Sequence, residues 1–217
     1  MSTIAARRLA TGSRTQSRLT RRLFEWGGIA AAAILIAFGI GAIVMGFQGR
    51  NTVSNSLAAE KIVGSEDMTP SAIRAAMQEA GLTGVAVPSS SVAGEKIDTG
   101  AEARTFAEYM RIHTLESSGG LTYAEMGRFA TADGNPAGTN DAAAAVKGAN
   151  GQPVSNGARD LWVTETALTT ALNTSYMAQQ LALFGIVVGV ALLLSGVGFG
   201  VLAVGGALRH RELENAA

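Results

Sequence analysis

Residues 27–47, GGIAAAAILIAFGIGAIVMGF, contain no charged or strongly polar side chain. A second run, residues 181–208, LALFGIVVGVALLLSGVGFGVLAVGGAL, has Ser195 as its one hydroxyl. The first run's 21 residues, at about 1.5 Å each, cover roughly 30 Å, the thickness of a hydrocarbon core. Its nine strongly apolar residues (Ile29, Ile34, Leu35, Ile36, Phe38, Ile40, Ile43, Val44, Phe47) contribute about −3 to −5 kcal/mol on insertion. Lipid offers backbone polar groups no water, so each run is expected to be a transmembrane helix. The second, at 28 residues, exceeds a perpendicular span and is expected to tilt or protrude.

Charge on either side sets an expected orientation. Before the first run stand Arg7, Arg8, Arg14, Arg18, Arg21 and Arg22 against Glu25 alone, which favours a cytoplasmic N-terminus. The 133 residues between the runs carry nine Lys/Arg and 14 Asp/Glu, a net of −5, and are long enough to be translocated whatever their charge. Arg209, His210 and Arg211 follow the second run and Trp26 precedes the first, so both termini are expected inside, with Trp26 at the headgroups. Thr20 to Phe24 (TRRLF) resembles a twin-arginine export signal. The apolar run is longer than an h-region and no small-x-small site follows closely, which favours an uncleaved anchor. The resulting division is a basic cytoplasmic arm (1–25), a first span (26–47), an extracytoplasmic stalk-and-head domain (48–180), a second span (181–208) and a cytoplasmic tail (209–217). The expected localisation is the plasma membrane.

The middle segment is expected to be mainly α, with a thin core. Leu, Ile, Val and Phe supply 21 of its 133 residues, about 16%, where burial struggles to offset chain entropy. The chain has no cysteine, so no disulfide compensates. Thr69-Pro70 with Gly81 marks one helix through a hydroxyl cap, a proline at the first helical position and a glycine stop. Thr99 with Glu102 and Thr122 with Glu125 match capping boxes, predicting helices over about residues 100–116 and 122–129 with a turn at Ser117-Ser118-Gly119-Gly120. Residues 85–97, broken by Pro88 and Gly94, read as short strands. Residues 130–157, rich in Gly, Asn, Asp and Ala, read as a long mobile surface excursion. Leu161, Leu168, Leu172 and Tyr176 recur on one helical face and run on into the second span, while Val53 and Leu57 extend the first. Two antiparallel stalks carrying a small, mostly helical head are therefore expected.

In the second span Ala182, Gly185, Gly189, Gly196, Gly200, Ala203 and Ala207 fall within about 60° of one another on a helix. Gly185-x-x-x-Gly189 and Gly196-x-x-x-Gly200 would let backbones approach closely, either against this chain's own first helix or against another copy. Arg7, Arg14, Arg18, Arg21 and Arg22 share a face if the arm is helical, and would meet anionic lipid headgroups at about 1 kcal/mol per charge. Nucleic-acid binding is not expected, because no aromatic interleaving accompanies the arginines.

Catalytic chemistry finds little support. The two histidines, His113 and His210, fall on opposite sides of the expected membrane, so one chain cannot build a two-histidine, one-carboxylate iron site. His113 shares a helical face with Phe106, Tyr109 and Met110, has Glu116 one turn away, and reads first as a packing residue. Asp133, Asn135, Gly138 and Asp141 imitate calcium-loop positions, but Ala137 and Ala144 stand where ligands are needed. Asn173-Thr174-Ser175 spells a glycosylation sequon too close to the bilayer to be used. No cofactor, metal site or enzymatic activity is expected.

Arg14-Thr15-Gln16-Ser17-Arg18, Tyr109-Met110-Arg111-Ile112-His113, Leu121-Thr122-Tyr123-Ala124-Glu125-Met126 and Thr164-Glu165-Thr166-Ala167-Leu168-Thr169-Thr170 resemble an uncharacterised actinobacterial two-pass membrane protein family over nearly the whole chain. Some similar chains carry an automatic name borrowed from the small subunit of an aromatic ring-opening dioxygenase. Such a subunit is soluble, so the resemblance implies the membrane topology and not that activity. It also implies a cysteine near position 90 and another near position 105, where this chain has Ser90 and Thr105. Three function classes follow. The favoured one is a non-enzymatic envelope interaction or scaffold protein, embedded in the lipid bilayer and partnered by itself or another envelope membrane protein. The others are an oligomeric pore or transporter accessory subunit and, last, a dioxygenase-related protein.

Overall fold

A computed structural model describes the backbone of residues 2–215 and the side chains of residues 25–205. The described chain is mainly helical and contains no strand. Helix α1 is Ser2–Ala59, α2 is Pro70–Glu79, α3 is Gly100–Ser117 and α4 is Gly157–Asn215, with a 3-10 turn at Tyr123–Glu125. The apolar runs lie within α1 and α4, and both helices are long and apolar enough to cross a membrane. The chain divides into two compact units, Met1–Gln48 with Ala182–Ala217, and Gly49–Leu181.

In the first unit the two apolar helices meet through residues that have almost no side chain. A Cβ placed on Gly39 would lie 2.8 Å from the Gly189 carbonyl oxygen, and one on Gly46 would lie 2.7 Å from that of Ala182. One on Gly196 would lie 3.0 Å from the Ala32 carbonyl oxygen. Partner numbers rise on α1 as they fall on α4, so the pairing is antiparallel. Ala32, Gly39 and Gly46 face Gly196, Gly189 and Ala182, a repeat of seven on both helices, which is the spacing of a left-handed helix pair. Ile36, Ile43 and Ile186 lie over the facing glycines, while other large apolar residues point away: Phe38 is 70% exposed and Leu202 75%.

The second unit reverses that arrangement. Its core gathers Ile73 and Met77 of α2, Tyr109 and Ile112 of α3, Leu57 of α1 and Leu172 of α4. Helix α2 starts where the Thr69 hydroxyl accepts from the Ala72 N–H at 3.1 Å and Pro70 needs no donor partner. It ends in a Schellman motif, with the Leu82 N–H donating to the Met77 carbonyl at 2.8 Å across Gly81, whose φ is +67°. Helix α3 opens on a reciprocal Thr99/Glu102 capping box and closes in the same way, Gly120 N–H to Leu115 carbonyl at 2.7 Å.

Several expectations need correction. The Thr122/Glu125 pattern yields a three-residue 3-10 turn, not a helix to residue 129. The Thr122 hydroxyl and N–H both donate to Glu125 Oε2, each at 2.7 Å, so the reciprocal capping pair forms but closes a single turn. Residues 85–97 form no strand; isolated bridges, Val63 with Lys96 and Gly64 with Ala93, hold that segment. The long excursion is extensively hydrogen-bonded: Ala130 N–H reaches Val154, Val154 N–H reaches Val146, and Val146 N–H returns to Ala130, each at 2.9 Å. Buried Asn156 anchors its end by donating to the Gly127 and Pro136 carbonyls and capping α4 through the Ala158 N–H. On α4, Leu161 and Leu168 are exposed, whereas Trp162, Glu165 and Leu172 are buried. The inward stripe is therefore shifted by one residue at its start.

Candidate functional site

Helices α1, α3 and α4 of the second unit line an open, apolar cleft of about 650 Å³. Ser56 and Leu57 supply its α1 wall, and Glu60 and Ile62 follow them. Phe106 and Met110, one turn apart on α3, form the back, and Leu168, Ala171, Leu172 and Ser175 form the α4 wall. The polar inventory is short. The Ser175 hydroxyl already donates to the Ala171 carbonyl at 3.1 Å, leaving Ser56 and the Glu60 carboxylate. Among the described residues no lysine or arginine lines the cleft. Arg104 and Arg111, which flank Phe106 and Met110 in sequence, stack over the Tyr176 and Trp162 rings at 4.9 and 5.1 Å.

A second cluster centres on His113. Its Nε2 lies 3.5 Å from Asp67 Oδ2 and its Nδ1 3.5 Å from Glu116 Oε2, too long for strong hydrogen bonds. Asp67 is held below the usual carboxylate range chiefly by the Ser65 hydroxyl, which donates at 2.5 Å; partial burial opposes the shift and His113 adds to it. The arrangement ties the α1–α2 connection to α3. Among the described residues no group of three or more His, Asp or Glu side chains is placed to hold a metal ion. The calcium-like segment uses its oxygens internally, Asp133 accepting from Asn135 N–H and Asn135 from Ala137 N–H.

The glycine seam is seated in part. Gly189 and Gly196 are closed by α1, whereas a Cβ on Gly185 or Gly200 would find ordinary contacts at 3.9 and 3.7 Å. The side chains of Arg7, Arg14, Arg18, Arg21 and Arg22, and those of Ala207, Arg209, His210 and Arg211, lie outside the described residues. Sequence reasoning did not single out Glu165, which is 2% exposed. One of its oxygens accepts from the Thr166 hydroxyl at 3.3 Å and the other has no hydrogen-bond partner. Reading Trp162, Glu165, Thr169 and Leu172 as one stripe would have found it. No protein-family model, curated protein or solved structure matches this chain.

Proposed function

We infer that this chain is a two-pass plasma-membrane protein whose role is to recruit or brace partners in the cell envelope, without catalysis of its own. One observation carries the membrane assignment. In each apolar helix the most hydrophobic window is only 11% buried, the reverse of a soluble core helix, and Phe38, Met45, Leu194 and Leu202 present their bulk outward. Water would not tolerate that surface; hydrocarbon would. Both termini are cytoplasmic on the arginine bias, the arm docks on anionic headgroups through Arg7, Arg14, Arg18, Arg21 and Arg22, and residues 48–180 form the outer stalks and head. The resemblance to an actinobacterial two-pass family is consistent with this topology.

Interaction is favoured over catalysis by what the second unit exposes. Val63, Leu161, Val163 and Met177 are 53%, 42%, 54% and 69% exposed, apolar side chains in a segment that has few to leave in water. The partner is another copy or a second envelope protein. Topology is testable directly because the chain has no cysteine. A single Ala132→Cys, at an exposed position, should react with an impermeant maleimide on intact cells, and Thr3→Cys only after permeabilisation; the reverse pattern refutes the orientation. Mild-detergent isolation should then yield a stoichiometric complex that Val163→Asp dissolves. Recovery of a lone monomer insensitive to that change refutes the scaffold reading.

A further inference from the structure

We propose that the cleft between α1, α3 and α4 is a binding site for a long-chain amphiphile whose head is uncharged or cationic, a ligand-binding activity beyond the scaffolding role. A volume of about 650 Å³ lies within the range of pockets that hold small ligands, about 300–1,000 Å³. Its wall supplies Leu57, Ile62, Phe106, Met110, Leu168 and Leu172, so most of what it takes from water must be hydrocarbon. A substrate polar along its length would find few partners, because only Ser56, Glu60 and Ser175, whose hydroxyl already donates to its own helix, are polar in the wall.

A flexible chain can lie along the cleft with its hydrocarbon against Leu57, Ile62, Phe106 and Met110. Charge selects the head: the one ionisable group in the described lining is the Glu60 carboxylate, and no basic side chain is there to receive a carboxylate or phosphate. Fatty acids and anionic phospholipids are therefore disfavoured, while alcohols and amines are accepted.

The test uses the full chain in phosphatidylcholine nanodiscs with three photoactivatable probes of one chain length, an alcohol, an amine and a carboxylic acid. Peptide mapping should place saturable labelling by the alcohol and amine on the segments bearing Phe106, Met110 and Leu168, with the acid labelling them at least about tenfold less, as a missing counter-charge beside a like charge implies. Ala171→Trp, at an exposed position on α4, should fill the cleft and abolish this labelling while helix content and melting stay unchanged. Leu168→Gln should weaken it without steric block. Glu60→Gln should lower the preference for amine over alcohol by about two- to fivefold, the worth of an exposed ion pair. Labelling confined to the apolar spans, labelling that survives Ala171→Trp, equal labelling by the acid, or crosslinks from the cleft to a second polypeptide each overturn the proposal.

Discussion

The two units of this chain solve packing in opposite ways. Between the apolar helices the closest approach is made by small residues and most of the largest side chains are outside: Ala32 is 5% exposed, whereas Phe38 is 70%. In the second unit the large residues are inside: Tyr109 is 0% exposed, Ile73 1% and Trp162 3%. On the membrane placement proposed above, the difference follows from two media. Where lipid surrounds a helix pair, burying a leucine gains little over leaving it in hydrocarbon, and backbone contact across glycines supplies the dispersion energy. Where water surrounds it, every large apolar side chain withdrawn counts, and a segment poor in them must use each one.

Opposite substitutions should therefore be damaging in the two units. The largest effect is expected for Trp162→Ala. The indole is buried, donates from Nε1 to the Leu121 carbonyl at 2.9 Å, and packs with Leu115 and Met126. Truncation should cost about 3–5 kcal/mol, read as a fall in the melting temperature of the detergent-solubilised chain. A change under about 1 kcal/mol would mean that the second core contributes little. Next is the inverse change, Gly189→Leu. Its Cβ would sit 2.7 Å from the Gly39 carbonyl oxygen and 2.9 Å from the Ile43 N, so the helices must separate, at about 1–3 kcal/mol by the scale of overpacking. Phe38→Ala, on the outward face, is the control. If it destabilises as much as Gly189→Leu in a bilayer, the inversion between the units is wrong.

What the sequence makes legible divides along the same line. A run of 21 residues without a charge is a local statement about one medium, and it is enough to place both apolar helices. Caps are local too: Thr69 and Thr99 start helices where the spelling says, because the groups concerned are three residues apart. Thr122 has the same spelling and pairs with Glu125 in the same way, yet only a three-residue 3-10 turn follows it. The spacing of four in Gly185-x-x-x-Gly189 picks up one seated glycine and one marginal one. The repeat of seven becomes visible only when Gly39 and Gly46 of the first helix are set opposite. The cleft was out of reach altogether, because its wall comes from three helices far apart in the sequence and no short motif spans them.

The subtlest expected effect belongs to Tyr109, which bears on how the second unit manages a polar atom in a thin core. The ring is fully buried, yet its hydroxyl donates to the Ser90 carbonyl at 2.9 Å, stitching α3 to the segment after α2. Burial raises the phenol above its ordinary value of 10.0, and the nearby Glu108 carboxylate adds to the rise. A raised value means that the folded state holds the proton more tightly than the unfolded one. The stability it contributes is therefore complete below 10.0 and is lost as pH climbs through the higher folded value. Tyr109→Phe should cost about 1 kcal/mol near neutrality, by leaving the Ser90 carbonyl without its partner. Because phenylalanine cannot ionise, it should also flatten the alkaline decline, so the two melting curves converge as pH rises beyond the phenol's ordinary range. Parallel curves throughout would show that Tyr109 is wetted before the core opens. The second unit would then rest on α2 and Trp162 more than on the contact between α3 and Ser90.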